Sequence, residues 1–172
     1  GKAAASMAVE LENLLGSDRI TAGIVISNNK KQKPEKIVVH TGDHPIPTER
    51  SVEGTRRILE MKEKYNIGKD DFIIALMSGG GSSLMSLPVE AISFSDKQKT
   101  IKELIKSGAN VHEITVIKKR ISQVKGGKLA QFFAPTSILS LILSDVMGND
   151  TYVIASGPLV KDKSTNKEAN EI

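Results

Sequence analysis

The residues of this sequence best suited to binding an anion form a short glycine- and serine-rich segment, which consists of Gly79, Gly80, Gly81, Ser82 and Ser83. Glycines allow backbone N–H groups to turn toward a ligand, and the two serine hydroxyls add further donors. The chain contains no G-x4-G-K-S/T Walker sequence, and Leu84 stands where a G-x-G-x-x-G motif requires its last glycine. We therefore predict a phosphate- or carboxylate-binding loop, with a plain tight turn as the alternative.

Basic residues are concentrated between positions 118 and 128. Lys118 to Arg120 are consecutive, so helical spacing spreads them over several faces, and a solvated surface is the ordinary explanation. Lys125 differs, because the adjacent Gly126 and Gly127 allow the backbone to approach a ligand closely. The second interpretation is that at least one of these basic residues contacts an anionic ligand.

Asp145 follows a predicted buried strand, and Asp150 lies a few residues further on. Carboxylate oxygens at such a strand end suit Mg²⁺, which takes hard oxygen ligands together with water. Aspartate is also common in turns, where it hydrogen-bonds its own backbone. The pattern thus permits a metal site at Asp145 without requiring one.

His44 and Lys2 are two further candidates for chemistry. His44 precedes Pro45 in a stiff loop, where an imidazole can be held for binding or acid–base work or can simply serve as a structural hydrogen-bonding group. Lys2 stands beside Gly1 at the start of a predicted helix, from where an ammonium group can reach a phosphate. Nothing in the composition distinguishes Lys2 from the other lysines.

The elements that position these residues follow from the hydrophobic pattern. Apolar runs predict strands over residues 21–27, 36–40, 71–77 and 137–143. Helical spacing and capping patterns predict helices that begin or end at Ala4, Leu15, Ser51, Tyr65, Ser95, Gly108 and Asn110. Buried strands that alternate with helices indicate an α/β domain with a mostly parallel sheet, whose ligands lie beyond the carboxyl ends of the strands.

The composition limits the classes of protein to which this chain can belong. The chain has 172 residues and a net charge of +4, which fits one domain with a mildly basic surface. Aromatic residues make up 3%, which leaves no stacking platform for nucleic acid, and no apolar run approaches the roughly 20 residues of a membrane helix. The absence of cysteine favours a reducing compartment, the cytoplasm. The chain starts at Gly1 within a helical pattern, so we expect a piece of a longer protein.

Read together, seven motifs resemble the N-terminal domain of the two-domain glycerate 2-kinase family. They stand in one order: Gly1-Lys2-Ala3-Ala4, His44-Pro45-Ile46-Pro47, Ser78 to Leu84, Ser107-Gly108-Ala109, Ile121 to Lys128, Ser144-Asp145-Val146 and Ile154 to Pro158. The resemblance covers nearly the whole chain. It implies a Rossmann-like three-layer α/β domain, here incomplete, and a C-terminal domain that forms the other wall of the active site.

The resemblance also implies an activity and a set of site residues. The activity is transfer of phosphate from Mg²⁺·ATP to the 2-hydroxyl of D-glycerate, with a homodimer as a further expectation. Lys2 would be the catalytic lysine, the Gly79–Ser83 loop would hold the nucleotide phosphates, and Asp145 would bind Mg²⁺. The substrate would be bound by His44, Lys119 and Lys125.

Two alternatives to a kinase stay open at this point. The first is a serine hydrolase that uses Ser82 or Ser83 with His44, although Leu84 removes the final glycine of a G-x-S-x-G elbow. The second is an anion- or nucleotide-binding module without catalytic activity.

Overall fold

The computed structural model describes residues 1–172 and has four strands and seven α-helices. The strands are β1 (Gly23–Ser27), β2 (Ile37–Thr41), β3 (Phe72–Ser78) and β4 (Ser137–Leu143). The helices are α1 (Ala4–Leu15), α2 (Glu49–Lys64), α3 (Gly81–Leu84), α4 (Phe94–Lys106), α5 (Val111–Arg120), α6 (Lys128–Phe133) and α7 (Asn166–Glu171). No helix is long and apolar enough to cross a membrane.

The strands pair in parallel, which confirms the predicted α/β class. β1 pairs with β2 and β3 pairs with β4, so that Val25 lies opposite Val39 and Ala75 opposite Ser140. The two pairs are separate two-stranded ladders. All four predicted strands are present within two residues of their expected ends.

The first three residues of the chain join the ends of β1 and β3. The Gly1 nitrogen donates to the Ile26 carbonyl, and the Lys2 N–H donates to the Gly79 carbonyl, each over 2.9 Å. The Ala3 N–H donates to Ser78 Oγ over 3.1 Å. A Cβ on Gly1 would lie 2.1 Å from that same hydroxyl oxygen, so only glycine fits there. These contacts fix Lys2 beside the glycine-rich segment.

The helix α1 packs its small side chains against the β1–β2 ladder. Ala4, Ala5 and Ala8 are almost fully buried and form a core cluster with Val25 and Ile37. A second cluster lies around α6 and contains Val124, Leu129 and Phe133. The prediction that the strand before Asp145 is buried is wrong, because apolar side chains of β4 stay partly exposed, with Leu139, Leu141 and Leu143 between 39% and 57% accessible.

Two predicted helix starts are wrong, by three residues for α2 and by two residues for α4. α2 is preceded by Thr48, and Ser51 lies inside the helix, where its buried hydroxyl accepts the Asp43 N–H. α4 is capped by Ser93, which accepts the Asp96 N–H, so Ser95 is not the cap. Each segment has two hydroxyl-bearing residues within one turn, so the sequence pattern alone does not fix where the helix begins. The capping box at Asn110 and Glu113 is confirmed.

Candidate functional site

The glycine-rich segment is a turn from β3 into the single-turn helix α3. Gly80 adopts φ +80°, the left-handed region that glycine tolerates, and its carbonyl accepts the Ser83 and Leu84 N–H groups. The N–H groups of Gly79 and Gly80 have no hydrogen-bond acceptor within the chain. The Ser83 hydroxyl also forms no hydrogen bond. The turn therefore has free donors for an anionic ligand.

Lys2 and His44 contact the same glycine. A Cβ on Gly80 would lie 2.8 Å from His44 Cδ2 and 3.0 Å from Lys2 Cγ. The lysine side chain is 48% exposed, so its ammonium group is open to solvent or ligand. Any side chain at position 80 would displace the lysine, the imidazole or both.

The loop that carries His44 is fixed by Asp43. The Asp43 carboxylate accepts from Arg50 Nε over 3.0 Å and from Arg50 Nη2 over 2.7 Å, and it also accepts from the Thr48 hydroxyl. Partial burial lowers the pKa of His44, the positive charge of Lys2 lowers it further, and the Asp145 carboxylate opposes both. The imidazole is consequently biased toward its neutral form.

Asp145 faces the same turn from the end of β4. Its Oδ2 atom lies 3.6 Å from Lys2 Nζ, and its side chain is 56% exposed. A Cβ on Gly79 would collide with this carboxylate, so the two segments are in direct contact. The fold thus brings together Lys2, His44 and Asp145, which are distant in sequence, around Gly79 and Gly80.

Lys125 lies beneath the turn rather than beside its free donors. Its side chain is 1% exposed, and its ammonium group donates to the Ser82 carbonyl over 2.8 Å and to the Met85 carbonyl over 3.0 Å. Burial lowers its pKa well below the usual range, and Lys97 and Lys118 add to the effect. These contacts support the α3 turn, so direct substrate contact by Lys125 stays a prediction that its present partners do not favour.

Lys119 belongs to a separate buried cluster. Its side chain is 1% exposed, its Nζ atom lies 3.6 Å from Asp162 Oδ1, and the ammonium group rests on the ring of Tyr152. Burial lowers the pKa of Lys119 to about 8, although Asp162 opposes this shift. Substrate binding by Lys119 also stays a prediction, since its ammonium group already faces Asp162 and Tyr152.

The serines do not form a nucleophile–base pair with His44. Ser82 Oγ lies 2.9 Å from Ser156 Oγ, and neither Ser82 nor Ser83 is hydrogen-bonded to the imidazole. A hydrolase requires such a pair to activate its serine. Two cavities, of about 580 and 590 Å³, are lined by other residues. The side chains of Lys2 and Asp145 are about half exposed, so the cluster around Gly80 is an open surface.

Asp145 is also an isolated carboxylate. No group of three or more His, Cys, Asp or Glu side chains gathers anywhere in the chain in a way that could hold a metal ion. Mg²⁺ is commonly bound through only one or two carboxylates together with substrate phosphates and water. The donor set therefore fits Mg²⁺ only when a phosphate ligand supplies further oxygens.

Comparison with known proteins places the chain in a family. Residues 1–172 match the family described as Domain of unknown function (DUF4147), and the chain belongs to it. The chain is 39% identical to D-glycerate 2-kinase of Thermotoga maritima over 174 residues, which cover 100% of this chain and 41% of that protein. It is 42% identical to glycerate 2-kinase of Pyrococcus horikoshii, covering 100% of this chain and 38% of that protein.

The crystal structure of glycerate kinase from Thermotoga maritima has the same fold over this region. Its TM-score is 0.92, and the match covers 99% of this chain and 41% of that chain. The chain therefore spans about two fifths of the length of these relatives.

Proposed function

We propose that this chain provides one wall of the active site of an ATP-dependent kinase that phosphorylates D-glycerate at its 2-hydroxyl. The observation that carries the proposal is the convergence of Lys2 on a glycine turn whose Gly79 and Gly80 N–H groups are free. The names of the similar proteins support the same activity.

Each residue of the site has a role that its position supports. The Gly79 and Gly80 N–H groups and the hydroxyls of Ser82 and Ser83 would donate to nucleotide phosphates. Lys2 would neutralise charge on the phosphoryl group during transfer, which depends on positioning and electrostatic stabilisation more than on covalent chemistry. His44, biased toward neutrality, would orient the glycerate hydroxyl or carboxylate.

Asp145 is the residue that would hold Mg²⁺ against the phosphates. When bound, the ion supplies charge neutralisation at the phosphate oxygens. The Asp145 carboxylate pairs with Lys2, so binding of a cation by Asp145 would free the lysine ammonium group for the nucleotide.

A second domain of the longer protein would complete the site. Phosphoryl transfer requires the exclusion of water, and the surface around Gly80 is open. We therefore propose that residues 1–172 form part of a larger N-terminal α/β domain. The isolated chain would bind nucleotide weakly and in a salt-sensitive manner, and it would release essentially no ADP in response to glycerate.

A coupled ADP assay tests the proposal on the full-length protein and on residues 1–172. We expect glycerate-dependent ADP release from the full-length protein alone. Comparable rates from both would show that the active site is complete within this chain. Nucleotide binding by calorimetry without turnover in the full-length protein would favour a non-catalytic binding module.

Light scattering on the same sample tests the homodimer, and fractionation of the source cells tests the proposed cytoplasmic location.

A further inference from the structure

A second turn, which contains Ala155, Ser156 and Gly157, packs against the glycine turn and has an unfavourable backbone conformation. Ala155, Ser156 and Gly157 have φ angles of 52°, 63° and 56°, so three consecutive residues adopt the left-handed region. Only the glycine does so without steric conflict. A Cβ on Gly81 would lie 2.9 Å from Ala155 Cβ, which shows how closely the two turns approach.

Backbone hydrogen bonds hold this unfavourable conformation in place. The Gly126 N–H donates to the Ser156 carbonyl over 3.1 Å, and the Gly127 N–H donates to the Gly157 carbonyl over 2.8 Å. Lys125, the residue before this glycine pair, donates to the Ser82 carbonyl in α3. Two segments distant in sequence therefore form one connected support for α3.

Ser156 is the member of this support that reaches a side chain of the glycine turn. Its side chain is buried, with 2% of the residue exposed, and its Oγ atom lies 2.9 Å from Ser82 Oγ. A hydroxyl has one donor and two acceptor sites. The hydrogen bond to Ser156 uses one of these sites on the Ser82 hydroxyl. The remaining donor or acceptor sites of that hydroxyl then point in a defined direction.

We propose that Ser156 is a positioning residue that orients the Ser82 hydroxyl for a nucleotide phosphate. This inference rests on the proposed kinase function, because it assigns Ser156 to the same site. Ser156 acts through Ser82 and does not touch the nucleotide itself.

A double-mutant cycle on the full-length protein tests the inference. We expect Ser156→Ala to raise the KM for ATP about tenfold, the effect of one lost hydrogen bond, with a smaller change in kcat. Ser82→Ala is expected to raise it similarly. The Ser82→Ala, Ser156→Ala double variant should be no worse than Ser82→Ala alone, because Ser156 has no function once its partner hydroxyl is removed.

Two further variants separate positioning from folding. Ser156→Gly also lacks the hydroxyl but tolerates the positive φ, so it should fold and show the same rise in KM. Ser122→Ala removes another buried hydroxyl, which donates to the Leu87 carbonyl, and should leave the KM for ATP unchanged. An unchanged KM in both Ser156 variants, or additive effects in the double variant, would overturn the inference. Absence of glycerate-dependent ADP release from the unmutated protein would instead refute the proposed function.

Discussion

Two lysine–aspartate pairs of this protein have the same separation and opposite surroundings. Lys2 Nζ and Asp145 Oδ2 lie 3.6 Å apart, as do Lys119 Nζ and Asp162 Oδ1. The side chains of the first pair are 48% and 56% exposed, whereas those of the second are 1% and 14% exposed. Water screens the first pair, so it stabilises the fold little and can exchange for a ligand.

The aspartate of the second pair is embedded in a hydrogen-bonded network. Asp162 accepts from Arg120 Nη1 over 2.6 Å, from the Tyr152 hydroxyl over 2.7 Å and from the Ser164 hydroxyl over 2.9 Å. Removing one partner of such a network leaves a buried charge uncompensated. Burial, and not the residue types or their separation, therefore distinguishes the ion pair that can exchange for a ligand from the ion pair that supports the fold.

The largest effect is expected on activity when Lys2 is replaced. In the full-length protein Lys2→Met should lower kcat by about a thousandfold, because charge on the transferred phosphoryl group loses its compensation. The melting temperature should stay close to that of the unmutated protein, since an exposed pair contributes roughly 0–1 kcal/mol. Lys99→Met, at another exposed lysine, is the control and should change neither quantity. A large fall in melting temperature in Lys2→Met would contradict the prediction that the exposed pair contributes little to stability.

The largest effect on stability is expected in the buried pair. Asp162→Asn keeps the side-chain shape but leaves Lys119 and Arg120 without a counter-charge, so the free energy of unfolding should fall by about 3 kcal/mol. Urea denaturation at neutral pH measures this. Asp145→Asn is the matched substitution in the exposed pair and should change the unfolding free energy little. Equal losses in both variants would show that burial does not distinguish the pairs.

The same network predicts a pH dependence of stability. Burial alone would raise the pKa of Asp162, but hydrogen bonds from Tyr152 and Ser164 and the charge of Lys119 lower it well below its usual 3.8. A carboxyl with a lowered folded-state pKa stabilises the fold above its unfolded pKa, and this contribution is lost as the pH falls through the folded value. The stability difference between the unmutated protein and Asp162→Asn should therefore shrink as the pH falls below about 4. A difference that grows toward acid pH would contradict this sign.

A smaller effect is expected on the magnesium requirement. Asp145→Asn should raise the Mg²⁺ concentration for half-maximal ADP release about tenfold, a size typical of a weakened metal-binding shell. Asp150→Asn is the control, because its Oδ1 atom accepts the Tyr152 N–H within its own turn. An identical Mg²⁺ requirement in Asp145→Asn would remove this residue from the proposed metal site.

The smallest effect is a change in the pKa of His44. Because the charge of Lys2 lowers this pKa, Lys2→Met should raise it, and because Asp145 opposes that shift, Asp145→Asn should lower it further. Titration of the imidazole by NMR measures both changes. Shifts of the same sign in the two variants would show that His44 does not sense the two charges separately.

Local sequence was sufficient for most secondary structure. The α1 helix and its end at Gly16, the four strands and the Asn110 capping box each depend on residues within one or two turns of each other. The glycine turn after β3 was also predictable, since Gly79 to Gly81 permit backbone conformations that other residues resist. The parallel pairing followed from apolar strands that alternate with helices.

Burial and long-range partners were decided only by the tertiary structure. In the sequence Lys125 is distinguished by its adjacent glycines, and nothing in the composition distinguishes Lys2 from the other lysines. In the structure Lys2 is half-exposed, whereas Lys119 is buried against Asp162 and Lys125 against backbone carbonyls. Ser156 and Asp162 drew no functional prediction, because their partners lie 74 and 42 residues away. Pattern and propensity describe the chain over a few residues, whereas the surroundings of a charge depend on which distant segments pack around it.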